Sequence, residues 1–249
     1  MTLAGLRKCT AYSLYQSLWN AVDWIYPPTC IGCGRINQRF CEECQSQIEY
    51  IQGQLCPKCG EPSKHKDLCN SCKADPPCFE SLRGIAHYAG PIRQCVIKLK
   101  YDSDYALAEF LAEMMIHEIH KLGWDLELVT SVPLSKLKHQ ERGYNQANLL
   151  ARPIAYALRV PFKPDAITRS KDTRSQVGLS AFERAENLKN AFSADSQIVR
   201  KKRILIIDDV TTTGTTINEC SRALLSSGAN CVFGMTLARP LLGKSSNEL

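Results

Sequence analysis

RILIIDDVTTTGTT, residues 203–216, is the stretch from which the rest of the chain can be read. The run Ile204-Leu205-Ile206-Ile207 is short, apolar and rich in β-branched side chains, as in a parallel strand covered on both faces. Two adjacent carboxylates, Asp208 and Asp209, stand where that strand is expected to end. A loop of small residues, Thr211 to Thr215, leads into INECSRALLSSG, a helical pattern closed by Gly228. In open α/β sheets, ligands sit at the carboxyl ends of strands. A Thr/Gly loop opening a helix offers amide N–H groups, hydroxyls and the positive end of the peptide dipoles to a phosphate. Two acids beside it would repel that phosphate unless they hold sugar hydroxyls or orient a divalent cation. The combination reads as a ribose 5-phosphate site. A helix cap alone does not call for two acids ahead of such a loop. A P-loop reading fails, because the GxxxxGK pattern and its lysine are missing.

Strand and helix patterns alternate on either side of this stretch. LELVTSVPL supplies a strand ending at Pro133, and NCVFGMTLA supplies another buried one. Between them, SKLKHQERGYNQ reads as a polar loop before a helix from about Ala147 to Leu158. Upstream, GIAHYAGPIRQCVIKLKYDSD reads as an opening strand and a basic turn. YALAEFLAEMMIHEIHKLG follows as an amphipathic helix, with Leu107, Leu111, Met114 and Ile119 inward and Gly123 as its stop. PDAITRSKDTRSQVGLSAFERAENLKNAF is a strand start, a long polar excursion and a return, the signature of a lid or arm over a site. Alternation on this scale predicts a doubly wound α/β domain with an open, mainly parallel sheet over residues 79–249.

Thirteen cysteines set the character of the N-terminal part. Eight form four CxxC pairs: Cys30/Cys33, Cys41/Cys44, Cys56/Cys59 and Cys69/Cys72. Two pairs complete a tetrahedral shell of thiolates, and glycine follows closely in CIGCG and CPKCG, which favours the knuckle turn around zinc. The spacing favours sequential sharing, 30/33 with 41/44 and 56/59 with 69/72. An interleaved cross-brace and a single occupied site are the alternatives. All-cysteine ligation leaves no position for a substrate water, so the zinc is expected to be structural, supplying folding energy to a stretch with few apolar residues. Residues 29–78 form this module, with a folding clip docked on the large domain as its plainest role and a nucleic-acid or protein contact as the rival.

Residues 1–28 place Leu14, Leu18, Val22 and Ile25 on one side of an amphipathic helix that Pro27 and Pro28 end. Net charge is +6, which is compatible with a polyanionic ligand or nucleic acid and decides for neither. No run of about 18 uncharged apolar residues is present, so no integral membrane association is expected. The absence of a secretory pattern at the start makes the cytoplasm the default location and reduced thiolates the default cysteine state.

IIDDVTTTGTT closely resembles the phosphoribosyl-pyrophosphate signature of type I phosphoribosyltransferases. Together with the paired CxxC motifs, IKLKYDSD, VPLSKLKHQERGYNQA, TRSKDTRSQVGLSAFER and NLKNAF, the chain resembles the competence protein F family in its ComFC-like branch, from Cys30 to Arg239. The resemblance implies a protein of DNA uptake and natural transformation that binds phosphoribosyl pyrophosphate with Mg²⁺. It also implies a helicase-like partner and leaves the acceptor undefined. By the same resemblance, Asp208 and Asp209 contact the ribose hydroxyls, and Thr212, Thr213, Gly214, Thr215 and Thr216 hold the 5-phosphate. Ser131 to Ser135, including Pro133, forms the pyrophosphate turn. Lys138, Arg142 and Gln146 belong to the branch's own RGYNQ region, and Arg169, Arg174 and Gln176 to a closing arm. Lys98 and Lys100 are placed only by their charge.

Three classes fit these residues. In the first, a Mg²⁺-dependent transferase has Asp208, Asp209, Arg142 and Arg174 at its catalytic centre. In the second, a catalytically silent sensor binds the same ligand and contacts single-stranded DNA. In the third, a protein adaptor carries a vestigial pocket.

Overall fold

The computed structural model describes residues 28–63, 67–102, 105–170 and 188–240. The amphipathic helix expected before Pro28 and the arm carrying Arg174 and Gln176 lie outside the described residues. Four strands, β1 (Ser81–His87), β2 (Leu128–Ser131), β5 (Arg203–Val210) and β6 (Cys231–Arg239), form one sheet in the order β1-β6-β5-β2. Every pairing in it is parallel. A short antiparallel pair, β3 (Ile167–Arg169) and β4 (Phe192–Ala194), lies apart from it.

Both faces of the sheet are covered, as the unbroken apolar run of β5 requires. Ile204 to Ile207 are fully buried and alternate between two cores. Leu205 and Ile207 join Ile85, Met235 and Leu237 under α3 (Gly90–Tyr101), α4 (Tyr105–Leu122) and α6 (Gln146–Leu158). Ile204 and Ile206 face the opposite way, with Leu82, Val232, Ile167, Val199 of α7 (Ser196–Val199) and the Ile217, Cys220 and Leu224 stripe of α8 (Thr215–Ser226). Leu107, Leu111 and Ile119 are buried in α4, while Met114 is half-buried against the same core.

Three local expectations change. IKLKYDSD is not a turn: Lys98 and Lys100 occupy the last turn of α3. Pro91 stands in that helix's first turn, where its missing N–H costs nothing, and Ile92, Val96 and Leu99 supply the buried face. SKLKHQER is not a loop but α5 (Lys136–Arg142), capped by Ser135, which accepts from the Lys138 N–H, and stopped by Gly143 at φ 73°. The acid pair does not follow β5 but lies within it, since the ladder continues to Val210 opposite Ala238.

The cysteine segment, with short helices α1 (Glu42–Ser46) and α2 (Asn70–Ala74), wraps the free edge of β1. The Ile51 N–H donates to the Ile85 carbonyl at 3.0 Å and the His87 N–H to the Glu49 carbonyl at 2.8 Å, so residues 49–51 serve as an antiparallel edge. Cys30, Cys41 and Cys44 pack into the core of one face, and Cys56, Cys59 and Cys72 into that of the other. An unpaired parallel edge is a site of unwanted strand pairing, and this module covers it.

Candidate functional site

The carboxyl ends of β5 and β2 meet the loops expected to carry the site. Asp208 is half-buried and Asp209 buried. Each turns a carboxylate oxygen back on the chain: the Asp209 N–H donates to Asp208 Oδ1 at 2.9 Å and the Val210 N–H to Asp209 Oδ1 at 2.8 Å. The other Asp209 oxygen, Oδ2, receives two groups from elsewhere in the chain, the Lys100 ammonium and the Gln146 amide, each at 3.5 Å. Arg142 donates to Gln146 Oε1 at 3.0 Å and lies 5.5 Å over the Tyr101 ring. The Tyr144 hydroxyl donates to the Leu99 carbonyl at 2.7 Å. IKLKY and RGYNQ are therefore one constellation around Asp209.

Electrostatics follow from this crowding. Burial pushes the Asp208 carboxyl well above the usual range, and the Asp209 charge beside it adds to the shift. Burial also lowers the Lys138 ammonium, with Arg142 and Lys100 contributing by like-charge repulsion. Asp209 opposes that shift, and Arg169 reinforces it. Four cationic side chains from α3, α5 and β3 thus act on one place beside two acids, a distribution suited to an anion accompanied by a hard cation.

The loop after β5 closes the arrangement. The Thr211 N–H donates to the Ala238 carbonyl at 3.0 Å, and the Thr213 and Thr215 hydroxyls meet at 2.7 Å. Gly214 caps α8 in the left-handed region at φ 82°, a conformation that favours glycine. Thr212, Thr215 and Thr216 are half-buried and Thr213 is exposed at the start of that helix. Across from it, buried Ser131 donates to Asn148 Oδ1, and Asn145 fixes the turn after β2 by donating to the Val132 carbonyl at 2.9 Å. Pro133 follows in the same turn. Arg174, predicted for this site, is among the residues outside the description.

Both sequential cysteine sets are assembled: Cys30, Cys33, Cys41 and Cys44 in one, Cys56, Cys59, Cys69 and Cys72 in the other, with all four sulfurs of each within 4.8 Å. The Cys41 N–H points to Cys30 Sγ at 3.4 Å and the Cys69 N–H to Cys56 Sγ at 3.3 Å, the amide support typical of a knuckle. A soft four-sulfur donor set fits zinc and leaves no open ligand position.

The contacts of two residues carry no signal in the sequence. Lys100 reaches Asp209 from 109 positions upstream (209 − 100). Arg239, 3% exposed, donates to the Cys59 carbonyl at 2.6 Å and pairs with Glu61 at 3.0 Å. A lone arginine ending an apolar strand gave no local signal for that contact.

Family models agree with this two-part construction: Double zinc ribbon domain matches residues 21–73 and Phosphoribosyl transferase domain matches residues 145–245. The chain is similar to DNA utilization protein YhgH of Escherichia coli K12, with 35% identity over 208 residues, covering 81% of this chain and 91% of that one. Competence protein F of Haemophilus influenzae is 32% identical over 223 residues, covering 84% and 96% respectively. Among solved structures, the glutamine phosphoribosylpyrophosphate amidotransferase of B. subtilis is 21% identical, with a TM-score of 0.39. That match covers 57% of this chain and 30% of the longer one. The fold is α/β with a parallel sheet typical of type I phosphoribosyltransferases, joined to an N-terminal double zinc ribbon. By its relatives the chain belongs to the competence protein F family.

Proposed function

We propose that this chain binds phosphoribosyl pyrophosphate with Mg²⁺ at the ends of β5 and β2 and acts as a phosphoribosyltransferase on an acceptor still to be identified, in the service of DNA uptake. The observation that carries the reading is the meeting of an acid pair, a threonine-glycine helix start and the Lys100, Lys138 and Arg142 cations at one sheet end. The DNA connection comes from the relatives, one named a DNA utilization protein and the other a competence protein.

Loss of pyrophosphate from ribose C1 leaves positive charge on the sugar. Asp208 and Asp209 would hold the ribose hydroxyls and favour that charge. The 212–216 loop and the α8 dipole would fix the 5-phosphate. Lys138, Arg142 and the Ser131–Pro133 turn would neutralise the departing pyrophosphate. Arg142 is braced by Gln146 and Tyr101, which restricts its side chain. Carboxylate oxygens are the donors that a hard divalent ion takes, so the acid pair fits Mg²⁺, which when bound would offset charge on the leaving group. Arg174 would join from the arm, excluding water on closure.

Calorimetric titration with phosphoribosyl pyrophosphate and Mg²⁺ tests the reading. The parent should bind, while Asp209→Ala and Gly214→Val should lose measurable binding, and Asp209→Ala should retain both zinc ions. Parent-like affinity in both variants would overturn it. Pyrophosphate release on adding candidate acceptors then separates a transferase from a ligand-binding protein.

A further inference from the structure

The two cysteine clusters attach to different things. The first sits on the α3/α4 face, where the Phe40 ring meets Phe110 at 5.3 Å and Gly32 faces Pro91. The second is joined to the 211–215 loop through β1. Leu82 is their common part: its N–H donates to the Lys58 carbonyl of the Cys56–Cys59 knuckle at 2.7 Å. The knuckle comes so close that a Cβ on Gly60 would stand 2.5 Å from the Leu82 carbonyl oxygen. On the other side, Leu82 Cδ2 lies 3.1 Å from the Cβ position of Gly214. One residue therefore separates the metal knuckle from the loop's left-handed glycine.

Independent ties run in parallel with it. The Phe79 ring lies 3.8 Å from the same Cβ position of Gly214, and the Cys78 N–H donates to Asn218 Oδ1 in α8 at 2.7 Å. Arg239 grips the Cys59 carbonyl and Glu61, while its neighbour Ala238 accepts from the Thr211 N–H. Without a metal to close the Cys56–Gly60 turn, the Leu82 N–H and the Arg239 guanidinium would lose their partners together, loosening the β1 segment that packs behind Gly214.

We infer that the metal of the second ribbon, and not that of the first, holds the 211–215 loop in its ligand-ready form, with Leu82 and Arg239 as positioning residues. Metal retention at Cys56, Cys59, Cys69 and Cys72 and anion binding at the loop are then reciprocally coupled. The structural half stands on the contacts alone, and the ligand half rests on the proposed function above.

Hydrogen exchange at the Thr211–Thr215 amides tests the structural half in the full chain carrying its metals. Cys72→Ser should speed exchange there by about tenfold or more, while Cys44→Ser leaves it at the parent rate. Arg239→Met, which keeps all eight cysteines, should retain both metals and speed exchange in the same way, which keeps the test valid if Cys72→Ser does not fold. Equal acceleration in the two cysteine variants, or parent-like exchange in Arg239→Met, overturns the inference.

The second arm follows zinc transfer from the parent to a chromophoric chelator, with and without saturating phosphoribosyl pyrophosphate and Mg²⁺. One metal equivalent should leave about tenfold more slowly with ligand present and the other at an unchanged rate. Unchanged release of both, where calorimetry registers binding, overturns the coupling. Calorimetry that registers no binding overturns the proposed function instead, and exchange alone then decides the inference.

Discussion

Glu109 shows how one misplaced charge becomes a pH dependence. It is 8% exposed on α4, its Oε1 has no hydrogen-bond partner among the described residues, and burial pushes its carboxyl from 4.5 up to about 7. Glu113 adds to the shift, and Arg39 opposes it. A carboxyl whose folded value is raised leaves stability intact below its unfolded value, and stability is lost as pH climbs through the folded value. The window here runs from about pH 4.5 to about pH 7. At about 1.4 kcal/mol per unit, the full cost above that window is on the order of 3 kcal/mol. Glu109→Gln should therefore stabilise the protein, by about 1 kcal/mol more at pH 8.5 than at pH 6. Denaturant unfolding at both values checks this, and a gain that is absent or larger at pH 6 would count against a buried neutral acid. Asp208 is raised by the same cause, but its place beside Asp209 ties its proton to the candidate site rather than to the core.

Elements α3, α5 and α6 matter to the site through their ends. The last turn of α3 exposes backbone carbonyls, and Tyr144, between α5 and α6, caps that of Leu99 while the next residue, Lys100, reaches Asp209. Tyr144→Phe removes one neutral hydrogen bond and should cost about 1 kcal/mol. Lys100→Met leaves a buried carboxylate with one partner fewer and should cost about 1.5–3 kcal/mol, the range for hydrogen bonds to charged groups. If both act through one α3 terminus, the double variant should lose less than the sum of the two. Unfolding free energies around the cycle measure that coupling, and strict additivity would show the two contacts to be independent. Legibility in the sequence divides along the same line. Ile204–Ile207, the cysteine pairs and the Thr-Gly helix start were readable because their chemistry is local. Helix α5 buries no residue, so it left no apolar period to read and only Ser135 and Gly143 marked its ends. Gly90-Pro91 disguised the start of α3 as a turn. Lys100 with Asp209, and Arg239 with Glu61, were beyond reach because only the closed sheet brings them together.

At the scale of the whole molecule, the sheet is asymmetric, and the asymmetry decides what metal loss does. The outer edge of β2 is paired with residues 161–163, through the Val129 N–H to the Pro161 carbonyl and the Lys163 N–H to the Val129 carbonyl, each at 3.0 Å. The β1 edge is covered by the ribbons, whose own cysteines complete both cores. Folding of such a module is bound up with its metal, since thiolates otherwise buried together repel one another or take up protons. Cys44 and Cys72 show the tendency, both pushed well above the usual thiol range, chiefly by burial and then by their neighbouring cysteines. Removing both metals should therefore free the ribbons from β1, exposing its backbone edge together with Leu82 and Ile85. A bare parallel edge flanked by apolar side chains invites pairing with another copy. Chelation should accordingly convert the protein to larger species in light scattering while most of the helical circular dichroism persists, because α4, α6 and α8 pack on β5 and β6 without the ribbons. Early re-addition of zinc should reverse the change. A chelated protein that keeps its original mass and melting temperature would mean that the ribbons hold the β1 edge by packing alone.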